Sequence, residues 1–233
     1  MTGAIAIFVK TPGYSAVKTR LAETMGARFA REWHERAART VAAVAGAAAG
    51  RSGADAYWAV AEPDAIAQGA WPELPNLAQG DGGLGARMAR VHAELVRRHG
   101  HGVLLGADSP QISIELLLRA MRWLAIADAP RQAIGPSSDG GFWLYGANRI
   151  TAGERWEGVP YSQRDTGHRF RMAFDDRGDW LVLPALTDVD QARDLAPMRR
   201  ELAALATPLP AQRSLGEWLQ RTSGPSGHVE EAS

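Results

Sequence analysis

Short apolar runs alternate with longer stretches of helical periodicity along the chain. Residues 4–9 are apolar without interruption, as in a strand buried on both faces. Residues 27–49, rich in alanine and too long for a strand, predict a helix. A second strand is expected over 56–61. Within 84–98 the apolar positions Leu84, Met88, Val91 and Leu95 recur every three or four residues, as one helix face requires. The run Val103-Leu104-Leu105-Gly106-Ala107 predicts another strand, and 113–126 a helix after it. Residues 132–135 and 142–145 read as short strands about a turn rich in serine and glycine. A late strand over 180–183 and a late helix over 191–206 complete the pattern. This alternation predicts an α/β fold in three layers, a mainly parallel sheet flanked by helices.

Composition narrows the picture. A chain of 233 residues with 45% hydrophobic content fills one large core, so a single domain is expected over 1–221, followed by a frayed tail over 222–233 where Ser, Gly, Pro and Glu dominate. Basic and acidic residues balance at 26 each, which argues against nucleic acid as a partner and requires any anion to be held by local charge. With no cysteine, thiolate zinc sites and cysteine nucleophiles are excluded. Without a signal-like start or an apolar run near the roughly 20 residues of a membrane span, a cytoplasmic protein with no membrane span is expected.

The chemistry concentrates where strands end. The run 103–107 stops at Asp108, with Pro110 two residues later, as a buried parallel strand delivers an acid to a sheet edge. There a carboxylate can hold Mg²⁺ or Mn²⁺ against a phosphate-bearing ligand, although Ser109, or Ser113 with Glu115, also fits a helix N-cap. After the first strand, Lys10, Lys18 and Arg20 share a loop with Thr11, Pro12 and Gly13, a combination suited to cradling phosphates; a solvated basic loop is the plainer alternative. The spacing is not that of a P-loop.

Gly80-Asp81-Gly82-Gly83-Leu84-Gly85 formally matches a dinucleotide fingerprint, yet the turn residues of 71–76 predict no strand before it and Asp81 would oppose a pyrophosphate. Gln79 and Asp81 are instead expected beside a base or sugar. Asp139-Gly140-Gly141 reads as a hairpin turn or as a site acid next to Phe142 and Trp143, with Trp156 and Tyr161 as further aromatic candidates. Asp188 and Asp190 follow the last strand just before a helix, where Asp190 either caps that helix or meets Asp108 across a metal. His99 and His101 fit a helix end, His168 a neighbour of the acceptor, and His34 carries no assigned role.

Taken in order, Phe8-Val9-Lys10-Thr11-Pro12-Gly13, Val17-Lys18-Thr19-Arg20-Leu21-Ala22, Gly106-Ala107-Asp108-Ser109-Pro110, Asp139-Gly140-Gly141-Phe142 and Asp188-Val189-Asp190 resemble bacterial glycosyltransferases of GT-A fold, of the type associated with radical-SAM enzymes and arsenosugar biosynthesis. The resemblance spans residues 4–195. It implies a nucleotide-diphospho-sugar transferase fold in which Lys10, Thr11, Gly13, Lys18, Arg20, Gln79 and Asp81 contact the nucleotide and Asp108 and Asp190 hold Mg²⁺ or Mn²⁺. Lys18 and Asp139 are the catalytic candidates, Asp139 as general base toward a small acceptor. The segment 191–194 departs from the usual Thr-Pro-Glu-Asp. The Val17–Leu21 stretch also resembles guanylyltransferases of the phospholactate and molybdenum-cofactor types. Nucleotidyl transfer from a nucleoside triphosphate to a phosphorylated acceptor is therefore the rival, with non-catalytic nucleotide binding a third possibility.

Overall fold

A computed structural model describes residues 2–222. Strand β1 (Ala4–Val9) lies between β2 (Asp55–Val60) and β4 (Gly102–Gly106), parallel to both, with Phe8 level with Ala59 and Gly106. Neighbours on both sides and helices on both faces explain why its sequence is apolar throughout. The full order is β3-β2-β1-β4-β6-β5-β7, where β3 is Asn76–Ala78, β5 Arg131–Pro136, β6 Phe142–Ala147 and β7 Asp179–Val182. Among the described residues β6 alone runs against its neighbours, so the sheet is mixed and mainly parallel as expected.

Helices α1 (Thr19–Met25), α2 (Ala27–Ser52), α3 (Pro63–Ala67), α4 (Leu84–His99), α5 (Ile114–Leu124), α6 (Gly153–Glu157), α7 (Thr166–Phe174), α8 (Ala192–Ala203) and α9 (Pro210–Thr222) enclose that sheet. One face packs on α2 and α5 through Ile5, Ile7, Val9, Val103 and Leu105. The other packs on α4, α6 and α7, where Tyr145, Trp156, Phe170 and Phe174 interlock, the last two stacked at 4.2 Å between ring centroids. A third cluster, including Leu21, Trp33, Met198 and Trp218, joins α1 and α2 to α8 and α9.

Two expectations need correction. The basic segment after β1 is not loop throughout: α1 begins at Thr19. A strand does precede the glycine cluster, since β3 pairs with β2 despite Pro72 and Pro75 before it. That cluster is nevertheless taken up by the protein itself. Arg90 donates to the carbonyls of Gln79 and Asp81, and a Cβ on Gly80 would lie 2.5 Å from its guanidinium. Helices α3, α6, α7 and α9 were not expected, and the late helix expected over 191–206 stops at Ala203. Thr222 closes α9, and the rest of the tail expected over 222–233 lies outside the described residues.

The chain builds β1, β2 and β3 outward, then returns to place β4 on the other side of β1. The strand order therefore reverses between β1 and β4, and the crevice at their carboxyl ends is the place where open α/β sheets bind ligands.

Candidate active site

That crevice is a cleft of about 440 Å³, within the range of small-molecule sites. Lys18 ends the loop after β1 in the left-handed region (φ 47, ψ 44), a strained conformation for a lysine. Its side chain is only 8% exposed and brings Nζ to 2.8 Å from Asp108 Oδ2. From the buried face of α2, His34 reaches the same place: its Nε2–H donates to the Lys10 carbonyl at 2.8 Å, and Nδ1 stands 3.7 Å from Asp108 Oδ1. That separation is too long for a hydrogen bond, and both atoms are buried without a partner.

The electrostatics follow from this crowding. Burial opposes ionisation of Asp108, but the Lys18 charge and the nearby His34 outweigh it and hold the carboxyl well below the usual carboxylate range. Burial likewise opposes the charge on Lys18, and Asp108, Asp188 and Asp190 together overcome it, so its ammonium is held above the usual lysine value. Asp188 has the opposite fate: burial, reinforced by Asp108, Asp139 and Asp190 against the opposing Lys18, pushes it up to about 7. Around neutral pH Asp188 is therefore divided between its protonated and ionised forms, whereas an ordinary aspartate would be ionised.

The last acids come from the loop between β7 and α8. Asp190 Oδ2 accepts from Arg20 at 2.8 Å, and the capping of α8 holds the loop, since Asp194 Oδ2 accepts the N–H groups of Asp190 and Gln191. Asp190 therefore precedes the cap, a role filled by Gln191.

The opposite wall is the turn between β5 and β6. Asp139 Oδ1 accepts the Gly141 N–H at 2.9 Å, and Asp139 lines the cleft. Gly140 has φ 92, and a Cβ there would sit 1.7 Å from the Arg164 carbonyl, while its own carbonyl accepts the Gly167 N–H. Glycine is obligatory at that close approach, and the turn is fixed to the start of α7. Phe142, Tyr161, Gln163 and Thr166 continue this wall. Trp143 and Trp156 are core residues: Trp143 donates to the Pro184 carbonyl, and Trp156 is fully buried.

Of the residues expected at the site, Lys10, Lys18, Gln79, Asp108, Asp139 and Asp190 line one cleft, whereas Thr11, Gly13, Arg20 and Asp81 do not. Arg20 touches it through Asp190. Thr11 is buried scaffold: its hydroxyl accepts from Trp71 Nε1 and its N–H donates to Glu62. Gln79 is buried, its amide donating to the Val9 and Ala59 carbonyls. Asp81 is exposed. His168 is exposed on α7, while His99 in the last turn of α4 faces Asp55 at 3.2 Å. His34 was missed, although its place on the apolar stripe Ala30, Ala37, Ala38 and Val41 marks a polar group turned inward.

Among the described residues no three metal-ligating side chains converge on one point. Mg²⁺, however, is held by one or two carboxylates together with substrate phosphates. The oxygen-only acids of this cleft, with Asp108 Oδ1 buried and unpartnered, fit that kind of site.

A family model described as "Uncharacterized protein conserved in bacteria (DUF2064)" matches residues 40–163. A "putative nucleotide-diphospho-sugar transferase" from Desulfovibrio desulfuricans G20 is 26% identical, with a TM-score of 0.79 over 94% of this chain and 95% of that one. A nucleotidyl transferase from Methanothermobacter thermautotroptrophicus shares the fold at 15% identity and a TM-score of 0.52, over 88% of this chain and 100% of that one. No curated protein matches the chain. The likenesses bear out the α/β architecture of GT-A and nucleotidyltransferase type. No helix of the described residues is long and apolar enough to cross a membrane.

Proposed function

The chain belongs to the bacterial DUF2064 family, and for it we propose a metal-dependent glycosyltransferase activity that moves a sugar from a nucleotide-diphospho-sugar to a small hydroxyl-bearing acceptor. The observation that carries this reading is the Lys18–Asp108 pair, set with Asp188 and Asp190 in the cleft at the sheet's switch point. The likeness to the Desulfovibrio protein over 94% of the chain supports it. So does the supply of cations: among the described residues Lys10 and Lys18 are the only lysine or arginine side chains lining the cleft, with His34 beside Asp108 and Arg20 at the rim on Asp190. That matches one diphosphate better than a triphosphate together with a phosphorylated acceptor.

Asp108 and Asp190 are the residues that would hold Mg²⁺ or Mn²⁺, which supplies charge neutralisation on the departing diphosphate. Lys18, already fixed at the site, adds a positive charge that needs no reorganisation as the leaving group departs. Asp188, pushed up to about 7, is protonated in part of the population near neutral pH, which lessens repulsion among the acids before a cation binds. Asp139, with Oδ1 engaged by the Gly141 N–H, presents Oδ2 to take the proton of the acceptor hydroxyl.

Calorimetry with MnCl₂ and UDP, GDP or CDP, alongside the matching triphosphates, tests the reading, followed by turnover of a nucleotide-sugar panel. Metal-dependent diphosphate binding and diphosphate release on turnover are expected. A triphosphate preference with pyrophosphate release would replace the proposal by nucleotidyl transfer. Binding with no donor turned over would leave a nucleotide-binding protein.

A further inference from the structure

The two acidic loops of the cleft are tied together from behind by residues that do not line it. Glu201, in the last turns of α8, accepts from the Thr187 hydroxyl at 2.6 Å through Oε1, and from the Thr187 N–H at 3.0 Å and Gln111 Nε2 at 2.8 Å through Oε2. The second N–H of the Gln111 amide donates to the Thr187 carbonyl at 2.7 Å. Thr187 adjoins Asp188, and Gln111 follows Asp108 by three residues; both are almost wholly buried. From α9, Gln212 Nε2 donates to the carbonyls of Pro110 and Ile112, gripping the backbone on either side of Gln111. Asp194 holds the far end of the acid loop at Asp190 and Gln191.

We propose that Glu201 is a positioning residue that fixes the distance between the Asp108 turn and the loop bearing Asp188 and Asp190, so that α8 and α9 set the geometry of a cation site to which they contribute no ligand. The inference rests on the transferase reading above. Three donors converge on one carboxylate, and four hydrogen bonds join segments 76 to 90 residues apart or 14 residues apart in the chain. Carboxylates facing one another repel, and a rigid bracket keeps them together until a cation arrives. Changes in such outer contacts lower metal affinity about 10- to 100-fold.

The test compares the parent with Glu201→Gln, Glu201→Leu and Gln111→Met in the full chain. In Glu201→Gln the amide oxygen still accepts from Thr187 and Gln111, and the amide N–H₂ donates to the Thr187 hydroxyl, so parental behaviour is expected. Glu201→Leu strips the acceptors, and Gln111→Met cuts the link between the loops while keeping the volume. For both, the Mn²⁺ affinity read by calorimetry in the presence of UDP, GDP or CDP is expected to fall about tenfold or more. Amide hydrogen exchange over 108–112 and 187–191 is expected to accelerate in both loops together. If Glu201→Leu does not fold, Gln111→Met carries the comparison. Unchanged exchange in both loops overturns the inference whether or not the parent binds metal. Parental Mn²⁺ affinity in the destabilised bracket also overturns it. A parent that binds no Mn²⁺ with any nucleotide instead overturns the transferase reading, and exchange then decides the bracket alone.

Discussion

Lys18 Nζ lies 2.8 Å from Asp108 Oδ2, so the residue expected to meet phosphate is the counter-ion of the residue expected to hold metal. If a divalent cation and a diphosphate bind there as proposed, the metal would supply the positive charge beside Asp108 that Lys18 now supplies, and the diphosphate the negative charge beside Lys18.

Removing Lys18 leaves Asp108 a largely buried charge with no cation. Asp108 retains 28% exposure, so Lys18→Met is expected to destabilise the fold by about 3 kcal/mol, at the low end for a broken buried pair. The double variant with Asp108→Asn should recover most of that loss in urea unfolding. Equal stability of the single and double variants would contradict the pairing.

Asp188 gives the metal-free protein an inverted pH response. Its folded value is pushed up from 3.8 to about 7, so the native state binds more protons than the unfolded chain between those values. Its contribution is complete below about pH 4 and lost as pH rises through 7, with a slope of at most about 1.4 kcal/mol per pH unit. Asp108, held below its ordinary value, acts the other way: its contribution is present above its unfolded value of 3.8 and lost as pH falls further. Urea midpoints between pH 5 and 8 should show a slope in the parent that Asp188→Asn flattens.

Thr11 serves as scaffold for the loop after β1. Thr11→Val leaves the buried Trp71 indole N–H without its acceptor and is expected to cost about 1–3 kcal/mol, with nucleotide affinity within a few-fold of the parent. A collapse of nucleotide binding at unchanged stability would return Thr11 to the ligand.

Asp139→Asn, if Asp139 is the general base, should lower kcat by about 10²- to 10⁴-fold while leaving Mn²⁺-dependent nucleotide binding intact. Parental kcat in this variant would remove the role. Gly140→Ala acts differently: the added Cβ meets the Arg164 carbonyl, so thermal stability and the Asp139 turn should be lost together.

Much of the lining of the cleft was legible because strand ends are. An apolar run stopping at Asp108, and another stopping near Asp188 and Asp190, mark the carboxyl edge of a parallel sheet without knowledge of strand order. The Asp139-Gly140 turn identified the hairpin that makes β6 antiparallel. Short elements escaped: β3 has three residues between prolines and glycines, and α1 is short and follows a Pro-Gly turn, so neither carries a full period of signal. The buried brackets escaped for a different reason. Gln111 and Glu201 stand 90 residues apart, and nothing local distinguishes them from solvated polar residues. His34 lay between, visible as a polar interruption of an apolar stripe but uninterpretable until Asp108 was placed opposite it.

The central claim is that Asp108 holds a divalent cation against a nucleotide diphosphate. Calorimetry of the parent and Asp108→Ala with UDP, GDP and CDP, each with and without MnCl₂, tests it most directly. The parent is expected to bind at least one diphosphate about tenfold or more tightly with Mn²⁺, and Asp108→Ala, folded by its melting transition, to lose that dependence. Diphosphate binding indifferent to Mn²⁺ in the parent, or Mn²⁺ dependence undiminished in Asp108→Ala, would contradict it.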